Sequence, residues 1–353
     1  MKLVVHISSA MVWRGAEQQV HHLLNADNDE IENYLFCPVG AALIDKNNHL
    51  RDRIQTYKKY AGLDLFGGYR LKSFIQKNHI QIAHIHDSHA LNLFWASYFW
   101  GARIPAIYHK HHNHPIKNKK KYDRDYINKI ICVSNYVYET AARSIDKDKL
   151  VVIYSGIEKP VAENHTHSLR SEFHFPDDVL LFGTVCALEK EKNLFEVVEI
   201  ADKIRRTNSL IRFLIVGTGS YENKIRDRIL QRGLENIVML TGFRNDIANI
   251  LGEFDVFLFT SLSEGFPLSV LEAMLAKLPI VTRDSGGLKE MITDNETGLI
   301  YHTPDEAVEK ILRLTINNDE RKKLADAAFV YAQQFSIDKM IQKTHTLYHQ
   351  IIP

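Results

Sequence analysis

Val256-Phe257-Leu258-Phe259-Thr260-Ser261-Leu262-Ser263-Glu264-Gly265-Phe266-Pro267-Leu268-Ser269-Val270-Leu271-Glu272-Ala273-Met274 is the stretch that decides the fold. Val256 to Phe259 is a short, wholly apolar run, as a strand buried on both faces of a parallel sheet shows. A polar turn follows, in which Ser261 or Ser263 can cap what comes next and Gly265 lets the backbone turn closely. A helix then starts at about Pro267. Strand, glycine-bearing loop and helix make up the leading part of a βαβ unit.

Outward from this unit the same alternation repeats along the chain. In the first half the predicted strands are Leu3 to Ile7, Tyr34 to Cys37, Ile82 to Ile85, Ala106 to Tyr108, Lys129 to Val133 and Val151 to Ile153, with helices between them. A second series comprises Leu180 to Val185, Arg212 to Val216, Ile237 to Leu240, Val256 to Phe259 and Ile280 to Thr282. Ser155 to Asp178, polar and containing Pro160 and Pro176, reads as the linker. From about Ser336 to Pro353, Ile337, Met340, Ile341, Leu347 and Ile351 recur at helical spacing and predict a closing helix. The fold class is therefore α/β, with two Rossmann-like domains over 1–158 and 159–335 and a closing C-terminal helix over 336–353. A length of 353 residues supports two cores rather than one. No internal repeat or low-complexity segment interrupts this pattern.

Composition narrows the function classes. With 45% hydrophobic and 25% charged residues the chain is a folded protein rather than a disordered one. Cys37, Cys132 and Cys186 lie far apart and form no CxxC pair, which suggests neither a disulfide framework nor a thiolate zinc site and fits a reducing cytoplasm. The opening Met1-Lys2-Leu3-Val4-Val5-His6-Ile7 reads as a buried strand rather than a signal peptide, because His6 interrupts the run and no small-residue cleavage site follows. Ala90 to Trp100, the most apolar later stretch, is about half as long as a membrane span requires. Residues 1–160 hold 22 Lys and Arg against 15 Asp and Glu, whereas the remainder holds 22 against 28. Such asymmetry suggests that the first half meets something anionic. Its densest basic stretch, Lys110 to Arg124, is either a solvated loop or a surface resting on anionic lipids. The run lacks the interleaved aromatics of a stacking platform, so nucleic acid is not expected as a partner.

Loops after the strands carry the chemistry of an open parallel sheet. At the start of the helix near Pro267, unpaired N–H groups and about half a positive charge suit phosphate oxygens or sugar hydroxyls. Glu264 would stand at the mouth of such a site, and Glu272 about a turn and a half into the helix. By spacing, each glutamate is equally a favourable partner of the helix dipole. Two histidine groups, around His84-x-His86-x2-His89 and in His109-Lys110-His111-His112-Asn113-His114, invite a metal reading. Against it, no carboxylate cluster accompanies them and loop histidines close in sequence often point apart; no metal is expected.

The spacing Glu264-x7-Glu272 around Gly265-Phe266-Pro267 resembles the donor-site signature of the retaining glycosyltransferases of family four. Gly217-Thr218-Gly219, Thr241-Gly242-Phe243-Arg244-Asn245-Asp246, Ser285-Gly286-Gly287-Leu288-Lys289-Glu290 and Asn295-Glu296-Thr297-Gly298 extend the resemblance. It is continuous from about Leu180 to Ala327 and looser over the first half. The family has the GT-B fold, in which two Rossmann-like domains face each other across a cleft, and the resemblance implies that the helix over 336–353 returns to the N-terminal domain.

The resemblance implies transfer of a sugar from a nucleotide-diphosphate donor to an acceptor hydroxyl with retained configuration. Glu264 would bind the donor sugar's hydroxyls and Glu272 the ribose hydroxyls. Backbone amides from Gly265, Phe266, Pro267 and Leu268 would hold sugar or diphosphate, Gly217 would line the donor site, and Arg244 would lie by the nucleobase through its backbone. Lys192 would neutralise the departing diphosphate. In Trp13-Arg14-Gly15-Ala16-Glu17, Gly15 would let a loop approach the diphosphate. His109 would touch the donor sugar near the reacting centre, with His86 as a weaker acceptor-side candidate. No metal or cofactor is implied, and the leaving phosphate would receive the acceptor's proton. The acceptor would be a saccharide or lipid-linked molecule of bacterial surface polysaccharide or lipopolysaccharide synthesis, handled in the cytoplasm or at the inner face of its membrane. The chain departs from the family pattern at Ala187, where a phosphate-binding arginine is usual; Lys190 or Arg14 could substitute. Rival readings are an epimerase or hydrolase of the same fold, or a nucleotide-sugar-binding protein with impaired catalysis.

Overall fold

The computed structural model describes residues 1–60, 64–159 and 168–352. Two compact units divide the chain: Met1–Gly156 with Phe335–Pro353, and Ile157–Gln334.

In the first unit, β1 (Lys2–Ile7), β2 (Ile31–Pro38), β3 (Ile54–Tyr57), β4 (Ile82–Ile85), β5 (Ala106–Lys110), β6 (Ile127–Cys132) and β7 (Leu150–Val152) form one parallel sheet in the order β3-β2-β1-β4-β5-β6-β7. The helix Ile337–Ile351 begins at Ser336, whose hydroxyl accepts from Lys339 N. Its Met340, Leu347 and Tyr348 pack on Val4, Ile82, Ile107 and Ile131 beneath this sheet. Each such buried aliphatic side chain stabilises by about 1.5 to 3 kcal/mol. A Cβ on Gly156 would lie 2.5 Å from Ile337 Cα, so the absence of a side chain there lets the returning helix enter.

In the second unit, β8 (Leu180–Val185), β9 (Ile211–Val216), β10 (Val238–Gly242), β11 (Val256–Phe259), β12 (Ile280–Arg283) and β13 (Leu299–Tyr301) form a parallel sheet in the order β10-β9-β8-β11-β12-β13. Both units are thus doubly wound Rossmann-like sheets, as the alternating pattern predicts.

Two strands escape the sequence reading, and both are edges. In β3, Gln55 and Thr56 dilute the apolar signal, and β13 has three residues. The expected linker is also too long. Residues 160–167 lie outside the described residues, but Leu169 is buried and the Leu169 and Arg170 amides donate to the Glu253 carboxylate at 2.8 and 3.2 Å. The segment from Ser168 onward therefore belongs to the second unit.

Candidate active site

In the second sheet the strand order reverses between β8 and β11, the place where open α/β sheets bind ligands. The loops leaving these two strands are joined. Leu262 N donates to Glu191 O at 2.9 Å and Thr260 Oγ1 to Lys192 O at 2.8 Å. Lys192 closes a short turn that Asn193 ends in the left-handed conformation, φ 52°. From there its Nζ donates to Glu264 Oε1 at 2.5 Å, and Ser261 Oγ donates to the same oxygen at 2.6 Å. Burial works against the Lys192 charge, yet the neighbouring Glu264 carboxylate outweighs it and the ammonium pKa is raised. Ser261 therefore orients Glu264 rather than capping the helix as expected.

That helix, Leu268–Leu275, has Pro267 at its N-cap and no side-chain cap. Pro267 also lacks an N–H, so the expected row of amides from Gly265 to Leu268 reduces to Gly265, Phe266 and Leu268. Phe266 and Pro267 are buried and anchor the loop. Gly287 N donates to Glu264 O at 3.0 Å, and a Cβ on Gly287 would lie 2.1 Å from Gly265 O. The Ser285-Gly286-Gly287 turn thus braces the Glu264 loop at a distance that excludes any side chain. Farther along the helix, the half-buried Glu272 carboxylate has no ion-pair or hydrogen-bond partner among the described residues, and burial raises its pKa to about 7.

Gly217 follows β9 with φ 134°, and a Cβ there would lie 2.0 Å from Cys186 O. It lets the β9 loop lie against Cys186 and Ala187, where Leu188 N donates to Thr218 O at 3.0 Å. Arg244, after β10, commits its guanidinium to both Asp246 oxygens at 2.9 and 2.7 Å and to Glu172 at 2.7 Å. Its backbone is what remains for a ligand. Ala187 is half-buried, while Lys190, three residues on, is exposed.

In the first unit, Gly15 is the exposed first residue of the helix Gly15–Leu24, at whose start Arg14 N donates to Glu17. The Gly15 backbone does not have the positive φ that would demand glycine. Asp87 accepts from Ser9 N and Oγ at 2.6 and 2.7 Å and from the His89 and Ala90 amides, fastening the β1 loop to the next helix.

The histidines do not diverge as expected. His84 of β4 with His86 just past its end, and His109 of β5 with His111 just past its end, lie on the same side as His6 of β1. His84 stacks with His86 and His109 at ring separations of 4.3 and 5.3 Å, and His109 with His111 at 4.1 Å. Burial holds all five below the usual imidazole range, His6 at about 4 although Asn33 and Asp27 pull it upward. His89 is exposed and apart. The x-spacing of His84-x-His86 and His109-x-His111 was the available signal; the arrival of His6 was not legible.

Lys110 also differs from expectation. It is buried, its Nζ donates to His112 O at 2.7 Å and His114 O at 2.6 Å, and burial lowers its pKa to about 8. Lys121 donates to Ser88 O. The basic surface of this segment is therefore Lys117, Lys119, Lys120 and Arg124. No helix among the described residues is long and apolar enough to cross a membrane.

Comparison with known proteins identifies the family. The family model Glycosyltransferase Family 4 matches residues 13–159, and Glycosyl transferases group 1 matches 166–330. An uncharacterised glycosyltransferase of Methanocaldococcus jannaschii is 24% identical, with 94% of this chain and 90% of the relative covered. The amylovoran biosynthesis glycosyltransferase AmsK of Erwinia amylovora is 28% identical over 52% of this chain; the match spans 46% of that relative's length. The crystal structure of Anabaena HepE in complex with UDP-glucose shares the fold at TM-score 0.85 and 18% identity, over 99% of this chain and 100% of the other. With both halves matched and the Rossmann-like sheets shared from end to end, the chain belongs to glycosyltransferase family 4 and is a transferase of the GT-B fold.

Proposed function

We propose that the chain moves a sugar from a nucleoside-diphosphate sugar to a hydroxyl of a saccharide or lipid-linked acceptor, with retention, in the synthesis of a bacterial surface polysaccharide or lipopolysaccharide. The observation that carries the reading is the Lys192–Glu264 pair at the strand switch, beside a helix start without a side-chain cap. A diphosphate is a stronger anionic partner than one carboxylate and draws Lys192 to itself. Glu264, still held by Ser261, then accepts from the sugar's hydroxyls, because a carboxylate takes several hydrogen bonds at once. Glu272 accepts from the ribose, and the Gly265, Phe266 and Leu268 amides serve the sugar or phosphate oxygens.

In the transfer, the bond from the anomeric carbon to the diphosphate oxygen breaks and its electron pair leaves with the phosphate. The acceptor oxygen bonds to the same face of that carbon, and its proton passes to the departing phosphate. Lys192 and the helix dipole stabilise the developing negative charge, so this step needs no metal. His109 takes the part near the donor sugar that the family resemblance implies. The likeness to a fold that holds UDP-glucose in Anabaena HepE supports the donor class, and the similarity to an amylovoran biosynthesis enzyme supports the polysaccharide setting. Free cysteines, Cys37 and Cys132 with thiols raised to about 12 by burial, support a cytoplasmic site of action. Lys117, Lys119, Lys120 and Arg124 support contact with the inner face of the membrane.

A thermal-shift screen of nucleotide sugars tests the reading. The true donor at a hundred times its dissociation constant stabilises by about 2.7 kcal/mol. Incubation of that donor with saccharide and lipid-linked acceptors should yield product whose anomeric proton coupling matches the donor's. An inverted product, or no response to any nucleotide sugar, overturns the proposal.

A further inference from the structure

The five stacked imidazoles lie at the carboxyl ends of β1, β4 and β5, where the first sheet reverses its strand order between β1 and β4. The hydrogen bonds of His6 and His86 dictate which of their nitrogens carry protons. Asn33 Nδ2 donates to Asp27 Oδ1 at 2.9 Å, which turns Asn33 Oδ1 towards His6 Nε2 at 3.1 Å. His6 Nε2 therefore carries the proton, and in this neutral ring Nδ1 is an acceptor. His86 Nε2, 2.9 Å from His6 Nδ1, must then donate. Its own Nδ1 is left as a bare lone pair, buried and without a partner. A carboxylate–amide–imidazole string thus orients His86, as outer partners orient metal-ligating histidines.

A second string runs the other way, from His109 Nδ1 to His84 Nε2 at 3.2 Å and from His84 Nδ1 to the Tyr348 hydroxyl oxygen at 2.6 Å, so that with each ring donating through Nδ1 the lone pair of His109 sits on Nε2. It leaves His109 Nε2 buried and unpartnered, and His111 Nε2 is in the same condition. One ring nitrogen from each of His86, His109 and His111 lies within 4.8 Å of the others. His6, His84 and His86 also converge, but hydrogen bonds occupy both nitrogens of His6 and His84. An unmade hydrogen bond on a buried polar atom costs about 1 to 3 kcal/mol, and three in one place call for a shared partner.

We propose that the first unit binds one divalent transition-metal ion of the zinc class through His86, His109 and His111. Three neutral imidazoles without a carboxylate select Zn2+, Co2+, Ni2+ or Cu2+ over Mg2+ or Ca2+, and leave a fourth position for water. The binding stands apart from the transferase reading; where both hold, the ion and the donor sugar use His109 in exclusive states.

The test uses the full chain without a polyhistidine tag, stripped with a chelator and titrated with Co2+ and then Zn2+. One equivalent of Co2+ should bind with the visible absorption of a four-coordinate site, and Zn2+ should displace it. Affinity should fall at least tenfold in His86→Ala and in His111→Ala, with His89→Ala and His114→Ala unchanged. A chelator-reversible rise in the Tm of the unsubstituted protein with Zn2+, absent with Mg2+, is expected even where a variant does not fold. Binding that is absent, non-saturable, or equally weakened by His89→Ala overturns the proposal.

Discussion

Lys192 Nζ donates to Glu264 Oε1 at 2.5 Å across 72 residues of sequence, so the cation and the carboxylate with opposite duties toward the donor hold each other while they await it. The pair keeps either charge from being buried without a counter-ion, which would cost several kcal/mol. It also makes donor binding an exchange of partners.

Substitution of Glu264 should therefore affect more than one contact. Glu264→Gln removes the charge that accepts the sugar's hydroxyls and should lower kcat/KM by about ten- to a hundredfold, equivalent to about 1.5 to 3 kcal/mol. Lys192→Ala should do the same, and the double variant should cost less than the product of the two, because each single change strands the other partner. Steady-state kinetics on the four proteins checks this; additive losses would show that the two act separately.

Ala187→Arg restores the cation usual in the family. Turnover should rise by about tenfold or more, since one charged hydrogen bond contributes about 1.5 to 3 kcal/mol. An unchanged rate, measured at saturating donor, would mean that another cation such as Lys190 already serves the diphosphate.

Glu272 should make both donor affinity and stability depend on pH. Its folded pKa is about 7, above the ordinary 4.5, so the fold favours the neutral carboxyl. The stability this brings is full below about pH 4.5 and is lost as the pH rises through 7, amounting to about 3 kcal/mol at most. Glu272→Gln should thus gain stability relative to the parent between pH 5 and pH 8 in urea unfolding. Donor affinity needs the opposite state: it should strengthen from pH 6 to pH 8 in the parent and lose that dependence in Glu272→Gln.

Gly287→Ala should be damaging although no ligand touches a side chain there. The new Cβ would meet Gly265 O, a backbone atom that cannot swing aside. A loss of about 1 to 3 kcal/mol of stability is expected, with weaker donor binding as the Glu264 loop shifts. A melting temperature and donor affinity both equal to the parent's would show that the turn does not brace this loop.

Replacing Lys117, Lys119 and Lys120 together by Ala should weaken sedimentation with anionic vesicles by about 3 kcal/mol at low salt, at about 1 kcal/mol per charge. Added salt should abolish the difference. Equal binding by parent and triple variant would remove the membrane reading. Lys110 is not part of this test, because it is internal.

Much of the fold was legible because parallel strands buried on both faces are written as short, mostly apolar runs. Ile82 to Ile85, Leu180 to Val185 and Val256 to Phe259 have the ends the sequence assigns them. The edge strands β3 and β13 were not, since a strand with one neighbour tolerates polar residues and short length. Glu264 and Glu272 could be singled out by their place around a glycine and a helix start. Ser261, one of two serines offered as a helix cap, instead donates to Glu264, because a serine three residues before a glutamate can serve either the backbone or the carboxylate, and loop geometry decides which.

The chain's order of residues determined by itself that there would be two doubly wound sheets, a closing helix, and a carboxylate-bearing loop at a helix start, because periodicity and turn chemistry act over neighbouring positions. Tertiary structure alone decided that Lys192 pairs with Glu264 and that His6 joins His84, His86, His109 and His111. Those meetings depend on which strands become neighbours at the two switch points, and hydrogen bonding at 2.5 to 3.2 Å is set by that adjacency rather than by distance along the chain.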